Sequence, residues 1–157
     1  VLGLVEGGDR SDMNYIRGGG GAQVAPGGSI VKPPWGRITA IDLTTGEHAW
    51  MIANGDTRPR IAQALGLDLA DLPRTGKPSR AGLLVTRTLL FAGEGISGDP
   101  VFRAHDKATG MILAEIEIPS TQVGLPMSYM YEGKQYVVVA VGGRGRPAEI
   151  IALSLPD

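Results

Sequence analysis

Cysteine is absent from this chain, and large aromatic residues are scarce, with two Phe and two Trp in 157 residues. Without a thiol there is no disulfide framework, no thiolate metal site and no cysteine nucleophile, although the redox compartment stays open. No apolar run approaches the roughly 20 residues that a membrane-spanning helix requires, so no transmembrane segment is expected. The opening VLGLVEGGDR lacks the basic start and apolar middle of a secretory signal. An excess of one charge is also missing. With 15 basic and 16 acidic residues the formal net charge is -1, so composition provides no basic surface for nucleic acid and no acidic tail. The first residue is Val1, which reads as the start of a piece or a processed portion of something larger.

Glycine and proline, by contrast, are abundant, at 24 and 11 residues. That profile suits short strands joined by many turns. Six glycines fall between Gly18 and Gly28 in RGGGGAQVAPGG, where a regular element would carry a heavy entropic cost. Residues 1–34 therefore read as an irregular, glycine-rich lead-in. They do not read as a phosphate cradle, because no strand precedes the glycines, no GK[ST] follows and no helix opens after them.

Residues 35–157 have a different texture. RITAIDL and EHAWMIAN flank the turn TTG, and GLLVT, LLFAGEG, VFRAHD, MILAEIEIP, LPMSYMY, QYVVVAVGG and EIIALSLP follow as strand-like runs separated by turn residues. QYVVVAV is apolar on both faces, which predicts sheets packed face to face. DTRPRIAQALGLDLADLP is the one helical stretch: Asp56 or Thr57 can cap it, Pro59 suits its first turn and Gly66 can end it.

One sentence of sequence occurs twice. AIDLTTGEHAW at 40–50 and AHDKATGMILA at 104–114 align Ala40, Asp42, Thr45 and Gly46 with Ala104, Asp106, Thr109 and Gly110. In each copy the Asp can accept from the backbone of the turn and the Gly can supply left-handed φ, which together fix a hairpin. The small Ala leaves a slot, and Trp50 offers a plug with one N–H donor. Stacked copies of a single unit follow from such a repeat.

The pattern A-x-D-x-x-T-G-x-x-x-W resembles the tryptophan-docking motif of the pyrroloquinoline-quinone (PQQ)-dependent dehydrogenases, whose eight-bladed propellers lock neighbouring blades with it. PPWGRITAIDLTTGEHAW, GLLVTRTLLFAGEG, FRAHDKATG and GLPMSYMYEGKQYVVVAVGG are similar, in that order, to the C-terminal blades of the membrane-type glucose dehydrogenase branch, from about Pro33 to Asp157. The resemblance implies an all-β fold: a partial β-propeller of about two and a half four-stranded antiparallel blades with one short helix. Two departures stand out. Ala114 occupies the place of a second docking tryptophan, and Arg80-Ala81-Gly82 replaces the glycine pair usual before the LVT strand.

By the same resemblance, the parent enzyme oxidises a small alcohol or sugar with PQQ and calcium, and is periplasmic or secreted. Its catalytic aspartate, its calcium-ligating Glu and Asn and its vicinal cysteines belong to blades outside this sequence. No catalytic or metal-ligating residue is therefore expected here, and the chain alone is expected to be inactive and to bind little or no cofactor. A quinone with three carboxylates favours guanidinium forks, and two segments align with the family's inner rim. These make Arg80, Ala81, Gly143 and Arg144 the cofactor-side candidates, against the commoner fate of loop arginines, which is solvation. His48 and His105 sit beside the repeated turns, where a side chain normally faces solvent, and neither has a partner at catalytic spacing. Asp42 and Asp106 are each engaged by their own turn and form no acid pair. Trp50 and Trp35 both read as packing residues.

The expected partners are the remaining blades of the parent or, through an open blade edge, a second copy. A non-enzymatic propeller scaffold for protein–protein interaction in the cell envelope is the alternative, and an independent small domain a third reading.

Overall fold

The computed structural model describes residues 3–6, 15–18, 31–95, 98–143 and 145–156. Within the lead-in, read from its glycines as mostly loop, β1 (Gly3–Glu6) and β2 (Tyr15–Gly18) pair antiparallel. The rest of that glycine-rich stretch lies outside the described residues.

From Arg37 onward three antiparallel sheets follow in chain order. β3 (Arg37–Ile41) pairs with β4 (His48–Ala53). β5 (Leu83–Val85), β6 (Leu89–Gly93), β7 (Val101–Asp106) and β8 (Ile112–Glu117) form a four-stranded meander. β9 (Met127–Tyr131), β10 (Lys134–Gly143) and β11 (Arg146–Ser154) form a three-stranded one. These are half of one blade, all of a second and three strands of a third, the all-β partial propeller that the repeat implies.

The two copies of the repeat fold alike, each turn built on its Asp. Asp42 Oδ1 accepts from Thr44 N–H at 2.8 Å and Asp106 Oδ1 from Thr109 N–H at 2.8 Å. Gly46 and Gly110 follow at φ 75 and 77, a region that Cβ-bearing residues avoid. Both turns close with the same pair of backbone bonds, Gly46 N–H to the Asp42 carbonyl and Gly110 N–H to the Asp106 carbonyl.

Sheets pack face to face, as the apolar run in β10 predicted. Ile38, Leu90 and Ala92 join β3–β4 to the meander, with Trp50 and Ile52 against them. Phe102, Ile118, Val139 and Val141 join the meander to β9–β11, with Phe91, Val137, Ile151 and Leu153 against them. The rings of Phe91 and Phe102 stack at 6.0 Å between centroids. Val139 and Val141 have no exposed surface, which accounts for the β-branched composition of that strand.

Trp50 couples the first sheet to the second at the repeated turn. Its indole Nε1–H donates to the Lys107 carbonyl at 3.0 Å, and its ring lies over Gly110, where a Cβ would come within 2.9 Å of ring atom Cε3. The tryptophan of one hairpin thus sits on the turn of the next, and only a residue without a side chain fits beneath it. Ala114, at the corresponding place in the second copy, is exposed.

Between the sheets, α1 (Pro59–Leu65) begins on Arg58, whose side chain makes no capping bond, rather than on Asp56 or Thr57. Both of those are engaged elsewhere: Thr57 Oγ1 donates to the Pro73 carbonyl at 2.6 Å, and Asp56 pairs with Arg74. Pro59 opens the helix, and Gly66 ends it in the left-handed region, as its sequence position predicted.

Trp50→Ala should lower the urea midpoint, with a cost toward or below the low end of the roughly 3–5 kcal/mol of a fully buried aromatic, because Trp50 is only half-buried. Trp50→Phe, which keeps a ring but loses the bond to Lys107, should cost clearly less. Equal midpoints for parent and Trp50→Ala would remove the coupling between the sheets.

Candidate functional site

In an antiparallel meander, the start of the first strand, the end of the second, the start of the third and the end of the fourth share one side. Here that entry side collects Trp35 before β3, residues 54–82 between β4 and β5, Glu94 and Asp99 between β6 and β7, residues 118–126 before β9, and Gly143 at the end of β10. Arg80, Ala81 and Gly143 therefore lie on one side of the molecule although they are far apart in sequence. Arg144 falls outside the described residues.

Gln122 links the segments carrying those candidates. It is 1% exposed. Its Nε2 donates to the carbonyls of Gly82 and Gly124, and its Oε1 accepts from Gly93 N–H at 2.8 Å. Beside it, Thr121 Oγ1 donates to the Gly142 carbonyl at 2.9 Å, and Gly142 N–H donates to the Thr121 carbonyl. One extended segment therefore fixes Gly82, next to Ala81, and Gly142, next to Gly143. Ala81 is further held by the bond from its N–H to Ser79 Oγ and packs close to Gly95. Arg80 is exposed and has no ion pair among the described residues.

A buried ion network stands on the same side. Glu94 has no exposed surface, yet its carboxylate is fully engaged. Oε2 takes Lys77 Nζ at 2.9 Å and Asp99 N–H at 2.8 Å, and Oε1 takes Arg103 Nη1 at 2.6 Å. Lys77 also pairs with Asp99, and Arg103 with Glu115 and Asp56. Arg74 closes the outer ring by bonding Asp56 at 2.8 Å and Glu115 at 2.9 Å. Burial alone would lower the pKa of Lys77, but hydrogen bonds to Asp99 and Glu94 outweigh it and hold the ammonium above its ordinary range. Hydrogen bonding from Arg103, aided by Arg74, depresses the Glu115 carboxyl.

Carboxylate oxygens of Asp56, Glu94 and Asp99 come within 4.8 Å of one another, a spacing suited to a hard cation. Lys77 and Arg103 already supply the positive charge at that place, so the donor set fits an internal salt bridge and not a calcium ion. The network carried little sequence signal, since Lys77, Glu94 and Arg103 come from three separate runs and only folding brings them together.

The histidines part company. His48 is exposed, as expected. His105, expected at the surface, is 1% exposed. It lies within the β7 run in which Phe102, Arg103 and Ala104 are buried too, and its Nδ1 is 3.0 Å from the Gly110 carbonyl. Burial, helped by Arg103 and Arg74 and opposed by the Gly110 bond and Glu115, holds its pKa below the ordinary 6.5. Its Nε2 finds no partner among the described residues. This is a packed, neutral imidazole bracing the turn under Trp50. Asp42 and Asp106 serve their own turns and lie on the opposite side, with their carboxyls lowered by those hydrogen bonds.

Antiparallel sheets that follow one another in the chain and pack face to face have the arrangement of β-propeller blades. The solved quinohemoprotein alcohol dehydrogenase from Comamonas testosteroni shares this fold with a TM-score of 0.54 at 24% identity, over 75% of this chain and 16% of that one. The family described as PQQ glucose/ethanol/alcohol dehydrogenase, beta-propeller domain, matches residues 17–137, and the chain belongs to it. Among individual relatives, quinoprotein glucose dehydrogenase of Gluconobacter oxydans (strain 621H) is 34% identical over 80% of this chain. Quinate/shikimate dehydrogenase (quinone) of Acinetobacter baylyi (strain ATCC 33305 / BD413 / ADP1) is 36% identical over 71%. The chain spans 16% of the length of the first and 14% of the second.

Two outcomes test this electrostatic reading. Glu94→Gln leaves two buried cations short of a counter-charge and should cost about 3–5 kcal/mol of stability in urea; Lys77→Met, which leaves Glu94 still bonded to Arg103, should cost less. For His105 the folded pKa is depressed, so the unfolded chain binds the extra proton first as pH falls. Stability should therefore be fully present above about pH 6.5 and decline as pH drops below it, and His105→Gln should flatten that decline in midpoint measurements from pH 7.5 to 5.5.

Proposed function

We propose that this chain forms C-terminal blades of a quinoprotein dehydrogenase that oxidises an alcohol or sugar carbon to the carbonyl level with PQQ, in the periplasm or outside the cell. The observation that carries the reading is the family match over residues 17–137, combined with the seating of Trp50 on Gly110, which we take as a tryptophan-docking contact between blades.

On this reading the entry side is the cofactor side. Arg80, with no ion pair among the described residues, offers a guanidinium suited to a carboxylate of the quinone, while Ala81 and Gly143 offer a close backbone approach from two neighbouring blades. The quinone, when bound, supplies the two-electron acceptor; the chain's own residues hold and orient it. The catalytic base and calcium ligands belong to other blades, so this chain alone is inactive. The relatives named for glucose and for quinate or shikimate make a polyol or cyclic hydroxy acid the substrate class of the parent. The outer edge of β11 has no neighbouring strand among the described residues, and Ile150 within that strand and Leu155 just after it are 78% and 82% exposed. That edge is where the remaining blades, or a second copy, join.

Calorimetric titration of the chain with PQQ and calcium should give no submicromolar binding, because an incomplete rim leaves the quinone solvated. In a longer parent protein that is reconstitutable, Arg80→Ala should raise the PQQ concentration needed for half-activity by about tenfold, as loss of one charge-assisted bond implies. Tight binding by the chain alone would overturn the shared-rim reading, and an unchanged requirement in Arg80→Ala would remove Arg80 from the cofactor side. In sedimentation at micromolar concentration the chain should self-associate, and a clean monomer would exclude the second copy as occupant of the β11 edge.

A further inference from the structure

A cavity of about 350 Å³ opens on the entry side, between the approach to β3, the start of α1 and the loop before β5. Its wall is mainly apolar, formed among the described residues by Val31, Pro34, Trp35, Ile61, Gly76 and Pro78 with one cation, Arg58. Among the described residues no carboxylate lines it, and Arg80, Ala81 and Gly143 are not part of its wall.

The wall is built rather than incidental. Trp35 is tied at both ends, by its backbone N–H to the Thr75 carbonyl at 2.7 Å and by its indole N–H to the Val31 carbonyl. Ile61 is buried, at 7% exposure. Gly76 has φ 71, and its missing side chain lets it back directly onto Gly36, where a Cβ would collide with the backbone. The floor is therefore fixed by backbone contacts. Arg58, part-buried, differs from the buried cations: Arg103 and Lys77 are saturated with carboxylates, whereas the Arg58 side chain has no ion pair or hydrogen bond among the described residues.

An arginine that lines a mainly apolar concavity and has no counter-charge among the described residues narrows the choice of ligand. A neutral sugar would present many hydroxyls to a wall that is mainly apolar, and most of those hydroxyls would lose water without replacement. A di- or trianion would find a single cation. A monocarboxylate on a compact ring satisfies both requirements, since a guanidinium fork matches a carboxylate and the indole and proline faces match the ring. The volume lies within the usual range for small-molecule sites.

We propose that this cavity binds a small ring-bearing monocarboxylate, with Arg58 taking the carboxylate and Trp35, Pro34 and Pro78 flanking the ring. The site is separate from the cofactor-side residues, and binding to it does not require the quinone.

The test uses the ¹⁵N-labelled full chain, whose two tryptophans give two indole N–H signals, the Trp35 signal being identified by its loss in Trp35→Phe. Cyclohexanecarboxylate should shift the Trp35 signal saturably at pH 7, and the uncharged cyclohexanecarboxamide should bind at least about tenfold more weakly, the value of one charge-assisted bond. Arg58→Gln should bring the acid down to the amide's affinity, while Arg58→Lys should retain part of the difference. The Trp50 signal, in its packed setting over Gly110, reports that each variant is folded. Equal affinity for acid and amide, a difference that survives Arg58→Gln, or no movement of the Trp35 signal up to tens of millimolar would each overturn the proposal. None of these outcomes depends on whether PQQ binds.

Discussion

Glu94 has no contact with water, and a carboxylate so placed is tolerable only if cations and donors replace its hydration. Meeting that demand organises the entry side. Lys77 must arrive from the connection between the first two sheets, Arg103 must point inward from β7, and the Asp99 backbone must turn back to donate. Gly55 packs against the same carboxylate, where a Cβ would come within 3.1 Å of it. The long connection between β4 and β5 is thereby held to the central meander by charge.

The opposite side depends on turns. The two repeated hairpins have the same Asp, Thr and Gly in the same roles, and Trp50 reads the second of them by lying on Gly110. His105 braces that turn from inside the sheet through the Gly110 carbonyl. Its imidazole is neutral because it is buried, and a neutral ring suits a place flanked by Arg103 and Arg74. The two sides divide the work: short-range backbone bonds and one indole set the spacing of the sheets, and long-range ion pairs and Gln122 set the loops above them.

That division bears on function. Loops at the entry side come from all three sheets, so a ligand there meets groups from distant parts of the sequence while the strands beneath stay fixed. The putting together of Gly82, Gly93 and Gly142 around the 121–124 segment is the clearest case: glycines allow the backbones to approach, and the amide of Gln122 satisfies the polar groups exposed by that approach.

How much of this was legible in the sequence follows from the range of each interaction. The repeated turns, the strands that flank them, the proline start and glycine end of α1 and the face-to-face packing of β10 are local or periodic, and the sequence by itself determined them. So, too, did the resemblance place Trp50 against the next hairpin. The helix cap, the burial of His105 and the Lys77–Glu94–Arg103 network were decided only by the tertiary structure. Asp56 had the right type and position for a cap, but Arg74 and Arg103 offered it charge, which outweighs a single capping bond. Lys77, Glu94 and Arg103 lie 17 and 9 residues apart in pairs, with no period linking them. A strand position shows which residues share a face, but whether that face meets solvent or another sheet is fixed by what packs on it. For His105 and Glu94 the neighbouring elements excluded water, and that exclusion set their chemistry.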